Sequence, residues 1–160
     1  MQKQIKILLT ILIALVLSVS CSKNNPNDPT KTKEQMLQQK WKYTNYDGGY
    51  DITADKIDGY AGTAVNYSLS IEEIVWYSDN ASGMIYCKYT TAPSYNPDVA
   101  NKYYAIAFKD LTDTTVKISG ASKQLEDGSY DSSAETLQEA KTKFTEANGY
   151  FSYSELTVAK

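Results

Sequence analysis

Apolar and polar residues alternate with a period of two through most of the chain after residue 40. That period marks strands with one buried face. W41-K-Y-T-N-Y46 interleaves aromatic and polar residues and predicts a first strand, with a turn at D47-G-G49. Y50-D-I-T53 and K56-I-D-G-Y60 predict two short strands, and A61-G62 relaxes the backbone after them. The longest β signal is V65-N-Y-S-L-S-I-E-E-I-V-W-Y77, in which Leu69, Ile71, Glu73, Val75 and Tyr77 share one face. Its polarity changes sides partway, which implies a bulge or a break into two strands. M84-I-Y-C-K-Y-T-T91, K102-Y-Y-A-I-A-F-K-D110 and T114-T-V-K-I-S119 predict three more strands, and Y150-F-S-Y-S-E-L-T-V158 a closing one. A92-P-S-Y-N-P-D98 is a loop punctuated by proline.

Two segments read as helices. T32-K-E-Q35 is a capping box opening a short helix through Lys40, with Met36 and Leu37 toward the core. S132-S-A-E135 reads as a second capping box, followed by Leu137, Ala140, Phe144 and Ala147 at helical spacing and an Asn148-Gly149 cap. The sum is seven or eight short antiparallel strands, an N-terminal helix and one amphipathic helix before the last strand. This is a mainly β chain, and regular spacing with short turns points to a small up-and-down barrel, with a β-sandwich as the alternative. A helix packed on such a barrel, with a Trp on the first strand, resembles a lipocalin-type arrangement.

The N-terminus has a different pattern. Lys3 and Lys6 precede the apolar run I7-L-L-T-I-L-I-A-L-V-L17, and Ser18 and Ser20 flank Val19 just before Cys21. These are the charged, apolar and small-residue regions of a secretory signal, too short for a membrane-spanning helix. A cysteine at that junction resembles the lipobox of bacterial lipoproteins, where the thiol is acylated and becomes the first mature residue. Ser18 stands where the best lipobox has Leu, so an ordinary signal with an incidental cysteine is the other reading. C21-S-K-N-N-P-N-D-P-T-K-T-K33 contains nothing to bury and reads as a disordered tether, reaching at most about 40 Å. The expected organisation is therefore a signal peptide at 1–20, a tether at 21–33 and one barrel domain at 34–160.

Composition narrows the chemistry. The 160 residues include 14 Tyr but only 3 Phe, no His, and Lys for all 16 basic positions. Without His there is no imidazole base, no Ser-His or Cys-His nucleophile and no His metal ligand. Without Arg there is no bidentate fork for phosphate. The net charge is −3, and removing Lys3 and Lys6 with the signal segment leaves −5, so no basic footprint for nucleic acid exists.

The stretches Y50-D-I-T-A-D-K-I-D-G-Y-A-G62, K102 to A121 and N148-G-Y-F-S152 resemble small spirochaete (treponemal-type) lipoprotein domains, a likeness covering most of residues 41–155. It implies a domain that follows a lipidated cysteine. The shared motifs are structural, and no catalytic residue is carried over.

Glu72 and Glu73 are adjacent on a strand and face opposite sides unless a bulge intervenes. Asp51, Asp55 and Asp58 lack calcium-loop spacing, and no metal or other cofactor is expected. Cys87 reads as a small buried hydrophobe. The acceptor patterns N66-Y-S68 and N80-A-S82 read as chance matches in a bacterial chain. Tyr95 differs from the strand tyrosines, because its loop has no core that demands it. It is the leading ligand-binding candidate, with the strand aromatics Trp76 and Tyr86 beside it. The expected function is a non-enzymatic, lipid-anchored protein of the bacterial envelope, outer membrane favoured. Its barrel end would bind an apolar small molecule or a host or envelope partner; the alternative is an adhesin, antigen or inhibitor with a filled barrel.

Overall fold

In the computed structural model, which describes residues 31–160, the alternating segments hydrogen-bond into one closed antiparallel barrel. Cys21, the signal segment and most of the tether lie outside the described residues. The barrel strands are β1 (Lys40–Tyr43), β2 (Gly48–Ile52), β3 (Lys56–Ala61), β4 (Ala64–Trp76), β5 (Gly83–Thr91), β6 (Tyr103–Lys109), β7 (Thr115–Gly120) and β10 (Ser154–Val158). Consecutive strands pair up and down, and β10 closes the ring between β7 and β1. Closure leaves the eight-stranded sheet without an edge, so the barrel stands and the sandwich does not. A two-stranded hairpin of β8 (Lys123–Gln124) and β9 (Tyr130–Asp131) lies outside the ring; its strands are too short for the period-two pattern to reveal them.

The side switch in the long strand is a bulge, and β4 remains one strand of 13 residues. Ile71 pairs with Cys87 and Ile74 with Ile85, so three steps along β4 match two along β5. Ile71, Ile74 and Trp76 therefore all face the interior, and an apolar lining continues from Tyr67 to Trp76. The core comprises Trp41, Ile52, Ile57, Leu69, Ile85, Ile106, Phe108, Val116, Ile118 and Leu156, all nearly inaccessible.

The two ends of the barrel differ. At one, α1 (Lys33–Leu37) begins with the expected capping box: the Gln35 N–H donates to Thr32 Oγ1 at 3.2 Å, and the Thr32 N–H to Gln35 Oε1 at 3.0 Å. Its Leu37 is fully buried, and the Trp41 indole N–H donates to the Leu37 carbonyl at 2.9 Å. That bond holds α1 across the opening. At the other end the loops at 44–47, 62–63 and 92–102, the last with a 3-10 turn at Pro97–Val99, and the long excursion at 121–153 surround the mouth.

Four local expectations change. Gly48 and Gly49 open β2 instead of forming a turn, because a Cβ on Gly49 would collide with the Trp41 carbonyl; the glycine serves close strand approach. The late helix α2 (Leu137–Lys143) is capped by Thr136, whose Oγ1 accepts from the Glu139 N–H at 3.1 Å. Ser132–Glu135 stays outside the helix because Ala134 and Tyr103 exchange both backbone bonds, at 2.8 and 2.9 Å. The Asn148-Gly149 pair closes a separate 3-10 turn (Glu146–Asn148), with Gly149 left-handed at φ +74°. The final strand starts at Ser154, since Tyr150 and Ser152 bond instead to Ser122 and Ser119 of the neighbouring loop and strand.

The cap assignment is open to test by thermal or urea unfolding. Thr136→Ala should lower stability by about 1 kcal/mol, whereas Ser132→Ala should stay within about 0.5 kcal/mol of the parent.

Candidate functional site

The open end of the barrel is lined by tyrosine. Tyr67 and Tyr89 meet edge to face with centroids 6.0 Å apart, and Tyr89 and Tyr104 lie 5.3 Å apart at a tilt. Above these rings is a cavity of about 530 Å³, whose wall also includes Tyr95, Asn96, Ser122, Tyr130 and Ser132. A narrower cavity of about 170 Å³ shares Tyr67 and is walled by Tyr43, Tyr46, Tyr50, Tyr60 and Asn66. Among the described residues, none that lines either cavity carries a charge.

Glycines make room for this floor. A Cβ on Gly59 would collide with the Tyr67 ring, and one on Gly120 with the Tyr104 hydroxyl. Each glycine lets a tyrosine lie across a neighbouring strand, which the usual pleat does not permit. Burial raises the Tyr67 and Tyr104 hydroxyls well above the ordinary phenol value and raises Tyr89 as well, with nearby phenols adding to it. The three remain protonated throughout the physiological range, each able to donate one hydrogen bond and accept others.

Two loops supply the rim. The 92–102 loop turns through the Asn96 N–H to Pro93 carbonyl bond at 3.0 Å and is pinned by buried Val99, which leaves Tyr95 77 % exposed. Across the mouth, the β8–β9 hairpin carries Tyr130, 65 % exposed. Its neighbour Asp131 anchors the hairpin, accepting from Lys143 Nζ of α2 at 2.7 Å and from the Tyr150 hydroxyl at 2.7 Å. Burial alone would raise the Asp131 carboxyl, but the bonds from Lys143 and Tyr150 outweigh it and hold the carboxyl below its usual value. Tyr150 is correspondingly pushed up to about 12, by burial first and the Asp131 bond second. Of the large apolar side chains exposed among the described residues, Tyr46, Val65, Tyr95, Leu125 and Tyr130 belong to the mouth and its loops, and Tyr77 does not.

The three aromatic candidates do not form one site. Tyr95 lines the larger cavity. Trp76 faces the interior at the closed end, where its ring meets Phe108 edge-on at 4.9 Å and Lys33 Nζ lies 4.7 Å above it. Tyr86 is on the outer wall, with Lys141 Nζ of α2 5.8 Å from its ring centroid. Strand parity explains the separation, since Tyr86 alternates with the inward-facing Ile85 and Cys87. Cys87 is fully buried, and burial pushes its thiol up, away from the reactive range. Glu73 pairs with Lys141 and Glu72 accepts from Ser70 Oγ at 2.8 Å, so the bulge does not bring the carboxylates together. Asp58 is held by Ser68 at 2.6 Å and Lys56 at 2.9 Å, and no His, Cys, Asp or Glu group suited to a metal occurs among the described residues.

Tyr67, Tyr89, Tyr104 and Tyr130 did not stand out from the other tyrosines in sequence. An isolated Gly in a strand pattern, as at Gly59 and at the end of T115-V-K-I-S-G120, was the available signal of a close approach. No protein-family model, curated protein or solved structure matches this chain.

Gly120→Ala should displace the Tyr104 hydroxyl and cost about 1–3 kcal/mol in urea unfolding. A second check uses pH. The Asp131 carboxyl is depressed in the fold, so its contribution is complete above the unfolded value of about 4 and is lost as pH falls through the folded value. Asp131→Asn should lower the Tm at pH 6, and the gap to the parent should narrow steadily below about pH 4.

Proposed function

We propose that the chain is a non-enzymatic, lipid-anchored protein of a bacterial cell envelope that captures a small molecule at the open end of its barrel. The observation that carries this reading is the uncharged tyrosine cup of about 530 Å³, ringed by exposed aromatic side chains. Binding cavities of this size commonly combine apolar walls with a few convergent polar groups, as the rings and hydroxyls do here. Anchoring rests on the sequence: the signal-like segment, Cys21 at its end and the polar tether, together with the resemblance to treponemal-type lipoprotein domains. No helix among the described residues is long and apolar enough to cross a membrane. The outer membrane is the favoured location. The absence of His and Arg argues for binding over catalysis.

A second reading is a surface interaction protein, acting as adhesin, antigen or inhibitor. Its support is the cluster of exposed large side chains on the mouth loops, above a barrel whose lower part is filled by Trp41, Ile106 and Phe108.

Palmitate labelling of cells producing the parent and Cys21→Ala tests the anchor. Label is expected only in the parent, and equal incorporation in both would reject it. Native mass spectrometry of the full chain extracted from membranes tests capture. A co-purified small molecule lost in Tyr95→Ala supports the first reading; a clean spectrum with a retained protein partner favours the second.

A further inference from the structure

We infer that the mouth of the barrel is built for a neutral oligosaccharide, with Tyr95 and Tyr130 as stacking faces and the tyrosine floor and Asn96 as hydrogen-bonding partners. The inference rests on the reading of the open end as a binding site and specifies what it takes.

Charge is the first discriminator. Charged residues make up 22 % of the chain, yet none among the described residues lines either cavity. An anionic or cationic ligand would lose its hydration there and gain no counter-charge. Phosphorylated and carboxylated molecules are therefore disfavoured.

The floor is the second. An acyl chain needs an apolar shaft, but the barrel below the cup is filled by Trp41, Ile106 and Phe108. The surface it would meet instead is lined by Tyr67, Tyr89 and Tyr104. A hydrocarbon would strip water from phenol groups without replacing the lost hydrogen bonds. A ligand with its own hydroxyls replaces them, since each protonated phenol both donates and accepts.

The rim is the third. Tyr95 and Tyr130 stand exposed on two separate loops, and both line the same cavity. A pyranose presents flat C–H faces that stack on aromatic rings and an edge of hydroxyls for directional bonds, and the cup offers a partner for each. The narrower cavity repeats the chemistry with Tyr43, Tyr60 and Asn66, and Tyr67 is common to both. Two adjoining uncharged, tyrosine-walled cavities suit linked sugar units better than a single ring.

The test is a printed array of neutral and acidic glycans probed with the detergent-solubilised full chain, alongside titration with the fluorescent fatty acid cis-parinaric acid. Neutral oligosaccharides should be retained and sialylated or uronic-acid glycans should not. Tyr95→Ala and Tyr130→Ala should each weaken retention roughly tenfold with an unchanged Tm, because both rings are exposed. Retention of acidic glycans only, or neutral retention indifferent to both substitutions, would overturn the inference. A blank array with parinaric acid binding that Tyr95→Ala removes would overturn the saccharide assignment while leaving the open end as a binding site. A blank array with no parinaric acid binding would remove both.

Discussion

The fold depends on closing the barrel through its shortest wall strand. β1 has four residues, and it pairs with β10 on one side and β2 on the other. Trp41 lies at the centre of that junction, opposite Val158 and Tyr50, and is completely buried. Its indole also bonds to the Leu37 carbonyl, so one side chain joins both neighbouring strands to the helix that shuts the lower end. Burying a Trp without a partner for its N–H would be unfavourable, and the end of α1 supplies that partner. Ring closure and end closure are thus linked at one residue.

With one end closed and packed, the other can be open without exposing the core. Aliphatic and aromatic side chains fill the lower interior, and tyrosines take over toward the mouth, where a hydroxyl can meet solvent or ligand. Gly59 and Gly120 make this possible, since side chains there would occupy the space that the Tyr67 and Tyr104 rings use. The cup is therefore a consequence of missing side chains on two strands as much as of the rings themselves. Its rim is stiffened from outside: Lys143, Asp131 and Tyr150 fasten the hairpin to α2 and to the approach to β10.

Much of the architecture was legible along the chain. Period-two alternation located the barrel strands, the side switch near Ile71 announced the bulge, and Thr32 with Gln35 marked the start of α1. These features are local, set by pleat geometry and by hydrogen bonds within a few residues, so a sequence pattern carries them. The start of α2 was misplaced because Ala134 pairs with Tyr103, thirty-one positions away, and that bridge removes Ser132 from the helix. The hairpin of β8 and β9 went unseen for a related reason: two-residue strands leave no period to detect.

The site divides along the same line. Tyr95 was conspicuous in sequence because a large aromatic in a proline-bracketed loop has no core to satisfy, and it lines the larger cavity. Trp76 and Tyr86 stood beside it as strand aromatics, but side-chain identity does not say which face of a closed wall a residue occupies or which end it approaches. The sequence by itself determined strand parity, the first helix cap and the absence of imidazole and guanidinium chemistry. Only the tertiary structure decided which tyrosines share a cavity, because that depends on register between strands and on ring closure, and both are set by contacts between distant residues.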